Sequence, residues 1–298
     1  MSKKQIPLIV EVPQEEIKEF DDLIKKYRNK YIRGSKDIVD IVFKENEEFC
    51  NSIKKGKVST NVQALREIGW QEFLKDEVNF NALLMKDLHH VLKTPKSIIE
   101  KVFDNNLHNE AGAKNAEEIM DMCGEYAGRV FPYIYRLCLS NTQSRRSRSG
   151  TTFEAIMYRI YELLEYPYDS QNKVGRKIFS DVGLGKKVDS ILPSIECFEK
   201  RRNMTIIGTM KTSLRERWQE VAEEIERTKI PEIHLLTVDE EISKSKAQEM
   251  ANHNIIIVAY DWVANSESLK GMKNIISFEE YLFEEIPNKI KYWKKNER

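Results

Sequence analysis

The stretch from residue 203 to residue 260 constrains the fold more than any other. Apolar runs alternate there with charge-rich amphipathic runs: NMTIIGTMK, LRERWQEVAEEIERTK, EIHLLTV, EISKSKAQEMANH and NIIIVAY. A run that is apolar on both faces is a strand covered on both sides, and parallel strands need a helix to return between them. The alternation therefore predicts an α/β sheet with crossover helices. KKVDSILPS, residues 186–194, reads as a short strand or turn beside it. SFEEYLFEEIPNKIKYWKK, residues 277–295, reads as a covering helix and tail.

The first 140 residues carry helical spacing instead. VPQEEIKEFDDLIKKYRNKYI repeats apolar residues at three and four, Ser35 is placed to cap KDIVDIVFKENEEFCNSI, and Gly56 to close it. NVQALREIGWQEFLK, TPKSIIEKVF and NAEEIMDMCGEYAGRVF add further helices, with Pro132 marking a kink or a new start. NTQSRRSRSGTTFE, residues 141–154, reads as a polar, basic link, followed by an amphipathic helix built on Phe153, Ile156, Met157, Ile160, Leu163 and Leu164. The expected organisation is a helical region over residues 1–140 and an α/β core over residues 141–298.

Apolar residues make up 41% of the 298, enough for a sizeable core. Lys+Arg and Asp+Glu both number 48, so overall charge does not advertise a polyanion partner, and a nucleic-acid face has to come from local clusters. Four scattered cysteines form no metal-binding pair and read as reduced, mostly buried thiols. The adjacent His89 and His90 point to different faces of a helix and make a poor chelate. No signal pattern and no long apolar run stand out, so a soluble cytoplasmic protein with no membrane contact is expected.

Lys211 ends the apolar run IIGTM, where sites in open sheets collect. Asp189 stands 22 residues upstream, Glu224 stands 13 residues downstream, and Glu154 opens the helix after the basic link. Three carboxylates and a lysine suit metal-assisted hydrolysis of a phosphodiester. Hard oxygens take Mg²⁺, and a lysine stabilises the charge growing on phosphate. In a chain this rich in charge, any one of these carboxylates taken alone reads as a solvated surface group.

SRSGTTFE, VDSILPS, GTMKTSLRERWQEVAEE and IHLLTVDEEISKSKAQEM follow one another in an order and spacing that resemble the PD-(D/E)xK restriction endonucleases of the EcoRII/SsoII-like branch. The resemblance spans roughly residues 140–262. The usual Pro-Asp is Val188-Asp189, and the acidic residue normally two before the lysine is Thr209. In that branch a carboxylate from the following helix replaces it, and Glu224 is similar in position. The resemblance implies a restriction-endonuclease-like mixed sheet flanked by helices. It makes Asp189 and Glu224 the Mg²⁺ ligands, Lys211 the catalytic lysine and Glu154 a further acidic residue.

It also implies a reading apparatus. Arginine can bond O6 and N7 of guanine, and glutamate can accept from N4 of cytosine, so Arg215, Glu216 and Arg217 suit adjacent G·C pairs. The branch uses a matching triplet for CC/GG half-sites. Gln143 matches a minor-groove contact, and Arg145, Arg146 and Arg148 supply phosphate contacts. Without the surrounding block the triplet reads as a charged helix face, and the basic run as a flexible linker. Some branch members stack a flipped base on an aromatic ring. Trp70, one turn after Arg66, is a candidate, although REIGWQEFL reads more simply as a helix with Trp70 in the core. Trp218 reads as packing.

The expectation is a type II restriction endonuclease: a Mg²⁺-dependent homodimer that cuts double-stranded DNA at a palindromic site and leaves 5′-phosphate and 3′-hydroxyl ends. The N-terminal helices would supply dimer contacts or arms around the DNA, and a cognate DNA methyltransferase would be the functional partner. Two alternatives stay open. One is a repair or junction nuclease of the same fold, and the other is a DNA-binding relic that does not cut.

Overall fold

A computed structural model describes residues 12–104, 116–184, 187–215 and 217–296. The N-terminal part is helical: α1 Gln14–Tyr31, α2 Ser35–Glu45, α3 Glu47–Lys54, α4 Ser59–Val91, α5 Lys93–Ile99, α6 Ala116–Arg129 and α7 Phe131–Leu163. Pro132 lies in the first turn of α7, where its missing N–H would have no partner in any case, so it marks a new start. The sheet follows: β1 Asp169–Ser170, β2 Ser190–Leu192, β3 Ile206–Lys211, β4 Ile233–Thr237, β5 Ile255–Ala259 and β6 Ile275–Ser277. Three longer helices accompany it, α8 Arg217–Thr228, α9 Lys244–Asn252 and α10 Ile286–Asn296.

The six strands lie in sequence order, with β2 antiparallel to both β1 and β3, and β3 to β6 parallel. All six residues of β3 and all five of β4 are buried, as strands covered on both faces should be. Antiparallel pairing of β2 with β3, in register Ser190↔Gly208, has a consequence for the site. It brings the start of β2 beside the end of β3, so residues 22 apart in sequence become neighbours. A side chain on Gly208 would stand 2.5 Å from the hydroxyl of the fully buried Ser190, so the bare glycine lets the two strands close.

The chain forms two compact units, and their limits differ from a break at residue 140. One unit comprises Met1–Gly34 with Gln71–Ser147, the other Ser35–Trp70 with Arg148–Arg298. Residue 140 lies inside α7, which runs unbroken through the segment expected to be a link. Arg and Gln are good helix formers, and a single Gly150 costs only about 1 kcal/mol. The first unit has its own core of Phe20, Leu23, Phe80, Leu84, Leu88 and Tyr133 with their neighbours. In the second unit, Glu279 caps α4: its carboxylate accepts from the N–H groups of Val58 (2.9 Å) and Ser59 (2.6 Å) and from the Ser59 hydroxyl (2.7 Å). That cap, made 220 residues away in sequence, helps tie residues 35–70 to the sheet-bearing unit.

The cysteines are free, but Cys123 and Cys138 are exposed, contrary to the expectation of mostly buried thiols. No helix among the described residues is long and apolar enough to cross a membrane.

Candidate active site

Lys211 is the last residue of β3 and is only 7% exposed. Its ammonium donates to the Thr209 hydroxyl (3.1 Å) and the Met210 carbonyl (3.2 Å), and lies 3.8 Å from the Asp189 carboxylate. Asp189 comes immediately before β2. Its N–H donates to the Gly208 carbonyl (2.8 Å), and its Oδ2 accepts from the Met210 N–H (2.6 Å) and the Thr209 hydroxyl (3.3 Å). Thr209, which stands where the related motif has an acid, thus bridges the carboxylate and the lysine by a hydroxyl.

Burial pushes the Asp189 carboxyl above its ordinary range. The Lys211 charge, the Met210 N–H, the Thr209 hydroxyl and the Arg217 charge pull the other way. Glu154, half-buried on α7, belongs to the same field. Burial first and the Asp189 charge second raise its pKa to about 7, against the opposing pull of Lys211. A carboxyl whose ionisation the Asp189 charge disfavours, in the field of the same lysine, belongs to a donor set that a divalent cation would relieve.

Glu224 is buried on α8, and its Oε1 accepts from Arg227 at 2.6 Å. Among the described residues, no three His, Cys, Asp or Glu side chains stand together as a ready metal cage. Mg²⁺ does not need one, because it is held through one or two carboxylates with water and phosphate oxygens completing the shell. The carboxylates present fit that mode.

Sequence reasoning passed over three neighbours of this centre. Glu220 lies one turn before Glu224. It pairs with Lys187 and is held in its charged form by that lysine first and by Arg217 and Lys211 after it. Asp239, just after β4, fixes the turn that follows β3 by accepting from the Leu214 N–H at 2.7 Å. Tyr158 donates from its hydroxyl to the Asp189 carbonyl at 2.9 Å. The position of Glu220, four residues before Glu224 on one helix face, was visible in the sequence. The other two contacts depend on strand pairing.

The reading residues lie differently from their expected places. α8 begins at Arg217, so Arg215 precedes the helix, in a turn with a φ of 25° that non-glycine residues seldom adopt. Arg215 and Arg217 are exposed, and Glu216 lies outside the described residues. Buried Leu214 anchors the turn, with its carbonyl accepting from the Arg217 N–H at 2.7 Å. Trp218 is buried against His253, as packing requires.

The basic run is split by the helix that carries it. Gln143 and Arg146 are exposed and, three apart, share a face. Arg145 bonds the buried Glu77 carboxylate through Nε at 3.0 Å, and Arg148 donates to the Ser35 hydroxyl at 3.0 Å. Trp70 is not a core residue. With Thr60, Gln63, Arg66, Glu67 and Thr152 it lines a cavity of about 630 Å³, and Arg66 is held there by the Tyr260 hydroxyl at 3.0 Å.

A family model described as EcoRII C terminal matches residues 122–282. The type II restriction enzyme SsoII of Shigella sonnei is 30% identical over 271 residues, covering 89% of this chain and 80% of that protein. Among solved structures, metal-depleted Ecl18kI in complex with uncleaved, modified DNA matches with a TM-score of 0.72 and 26% identity, over 93% of this chain and 85% of that one. The PspGI–substrate DNA complex, at 16% identity and a TM-score of 0.55, shares the fold, a mixed sheet flanked by helices. With the family match spanning more than half the chain, the protein belongs to the EcoRII C-terminal family and is a type II restriction endonuclease, a site-specific deoxyribonuclease.

Proposed function

We propose that the protein hydrolyses double-stranded DNA with Mg²⁺ at a palindromic or near-palindromic site with CC/GG half-sites, leaving 5′-phosphate and 3′-hydroxyl ends. The observation that carries this reading is the Asp189–Lys211 pair at 3.8 Å, its side chains 17% and 8% exposed, beside a Glu154 carboxyl raised to about 7. Such a pair, closed off at the meeting of two strand ends, is costly unless it serves chemistry.

Asp189 and Glu224 would hold the cation, with Glu154 as a further acidic group. When bound, Mg²⁺ supplies a water of lowered pKa and neutralises charge on the phosphate. Lys211 stabilises the phosphate oxygen on which negative charge grows. Thr209 and the Met210 N–H keep the Asp189 carboxylate aimed, so its orientation is set before substrate arrives.

Arg215, Glu216 and Arg217 read the G·C pairs in the major groove, and their place just past Lys211 couples reading to cutting. Gln143 and Arg146 meet the DNA from the exposed face of α7. Arg145 and Arg148 join them only by exchanging Glu77 and Ser35 for phosphate. A palindromic site calls for a two-fold homodimer in which each subunit cuts one strand. The N-terminal helices would supply dimer contacts or arms around the DNA, and a cognate methyltransferase would protect the host genome. The cavity beside Trp70 favours one more element, an extrahelical base stacked on that ring with Arg66 at its edge.

The test is digestion of a long unmethylated DNA of known sequence with Mg²⁺, followed by sequencing of the fragment ends. Discrete fragments sharing a CC/GG motif are expected. A smear would point to a repair or junction nuclease, and binding without cutting to a relic.

A further inference from the structure

Tyr158 has no part in the chemistry above, yet its hydroxyl donates to the Asp189 carbonyl at 2.9 Å. The opposite main-chain group of Asp189, its N–H, donates to Gly208 on β3 at 2.8 Å. Asp189 is thus gripped from two sides, by the strand that ends in Lys211 and by the helix that carries Glu154. Tyr158 lies four residues after Glu154 on α7, which is one helical turn. The hydroxyl therefore connects the backbone of one carboxylate to the helix turn that presents the other.

The phenol is well placed for this. Its ring stacks on Tyr168 with centroids 5.3 Å apart and planes 10° from parallel, and the Lys173 ammonium lies 3.3 Å from the far ring's centroid.

We infer that Tyr158 is a positioning residue that straps the Asp189 backbone to α7 and so fixes the spacing of the Asp189 and Glu154 carboxylates for the divalent cation. The inference rests on the reading of Asp189 as a metal ligand. Partners that orient a metal's ligands typically cost about 10–100-fold in metal affinity or activity when removed.

Tyr158→Phe keeps the ring and its stack and removes only the donor. The expected result is a 10- to 100-fold rise in the Mg²⁺ concentration for half-maximal cleavage, with cutting restored when Mg²⁺ is raised. As a readout independent of cutting, Mn²⁺ binding followed by electron paramagnetic resonance should weaken in parallel, while DNA affinity in EDTA stays unchanged. Tyr168→Phe is the control, because that hydroxyl bonds Glu162 at 3.1 Å from within the same stack. It should leave metal dependence unchanged.

Equal shifts in both variants, or a shift in neither, would overturn the strap. So would a Tyr158→Phe protein that does not fold, since the hydroxyl would then serve the fold rather than the site. Asp189→Asn, measured alongside, separates the two levels. If it cuts like wild type, the assignment of Asp189 itself fails. If it is inactive while Tyr158→Phe is unaltered, only the strap fails.

Discussion

Asp189 and Lys211 differ sharply from Arg215 and Arg217, although barely a turn of chain separates Lys211 from Arg215. The first pair is nearly closed off from water and fixed by main-chain bonds between two strands. The second pair is exposed on a turn with an unusual backbone and on the first residue of a helix. On the proposed function, the chemistry is built where two strands pair, so that a carboxylate and a lysine are held in place before substrate arrives. The groups proposed to read bases are open to solvent, where long side chains can reach base edges. The two functions should therefore fail separately.

Arg217→Ala is the sharpest way to break that comparison. If Arg217 reads guanine, the variant loses about 1–3 kcal/mol of discrimination between cognate and altered sites, seen as cleavage rates on a panel of single-base variants. Arg217 also contributes charge at Asp189. An equal loss of rate on every sequence, with binding intact, would move Arg217 to the cutting side of the division.

A smaller effect is expected from Glu154→Gln in metal-free buffer. The folded protein holds the Glu154 proton more tightly than the unfolded chain does, with a pKa of about 7 against an ordinary 4.5. That contribution to stability is full below about pH 4.5 and is lost as pH rises through about 7. Wild type should therefore lose on the order of 1–3 kcal/mol relative to Glu154→Gln across that window, read by thermal melts in EDTA. Parallel curves would contradict the raised pKa of Glu154.

The sequence exposed the proposed cutting centre better than its surroundings. β3, β4 and β5 are long apolar runs, Lys211 ends the first of them, and the pairing of β2 with β3 brings Asp189 beside it. β1 is only Asp169–Ser170, without an apolar pattern, and β6 is three residues long, so neither stood out. The basic run 141–154 read as a linker because its helix is held by partners far along the chain. Arg28 bonds Asn141 at 2.8 Å, and Glu77 takes Arg145. Trp70 fitted a core pattern by helical spacing, but spacing does not show that the space it faces is a cavity. The Tyr158–Asp189 bond involves a backbone carbonyl, which no sequence pattern marks.

The proposal stands or falls on whether the Asp189–Lys211 pair cuts while the exposed Arg215 and Arg217 read. Its most direct test is Lys211→Ala on a DNA duplex holding one cognate site, with cleavage in Mg²⁺ and binding in EDTA measured on the same preparation. The account predicts cleavage lower by at least about 10²–10³-fold, with preference for the cognate duplex retained. Wild-type cleavage by Lys211→Ala, or loss of cutting together with loss of site preference, would contradict it.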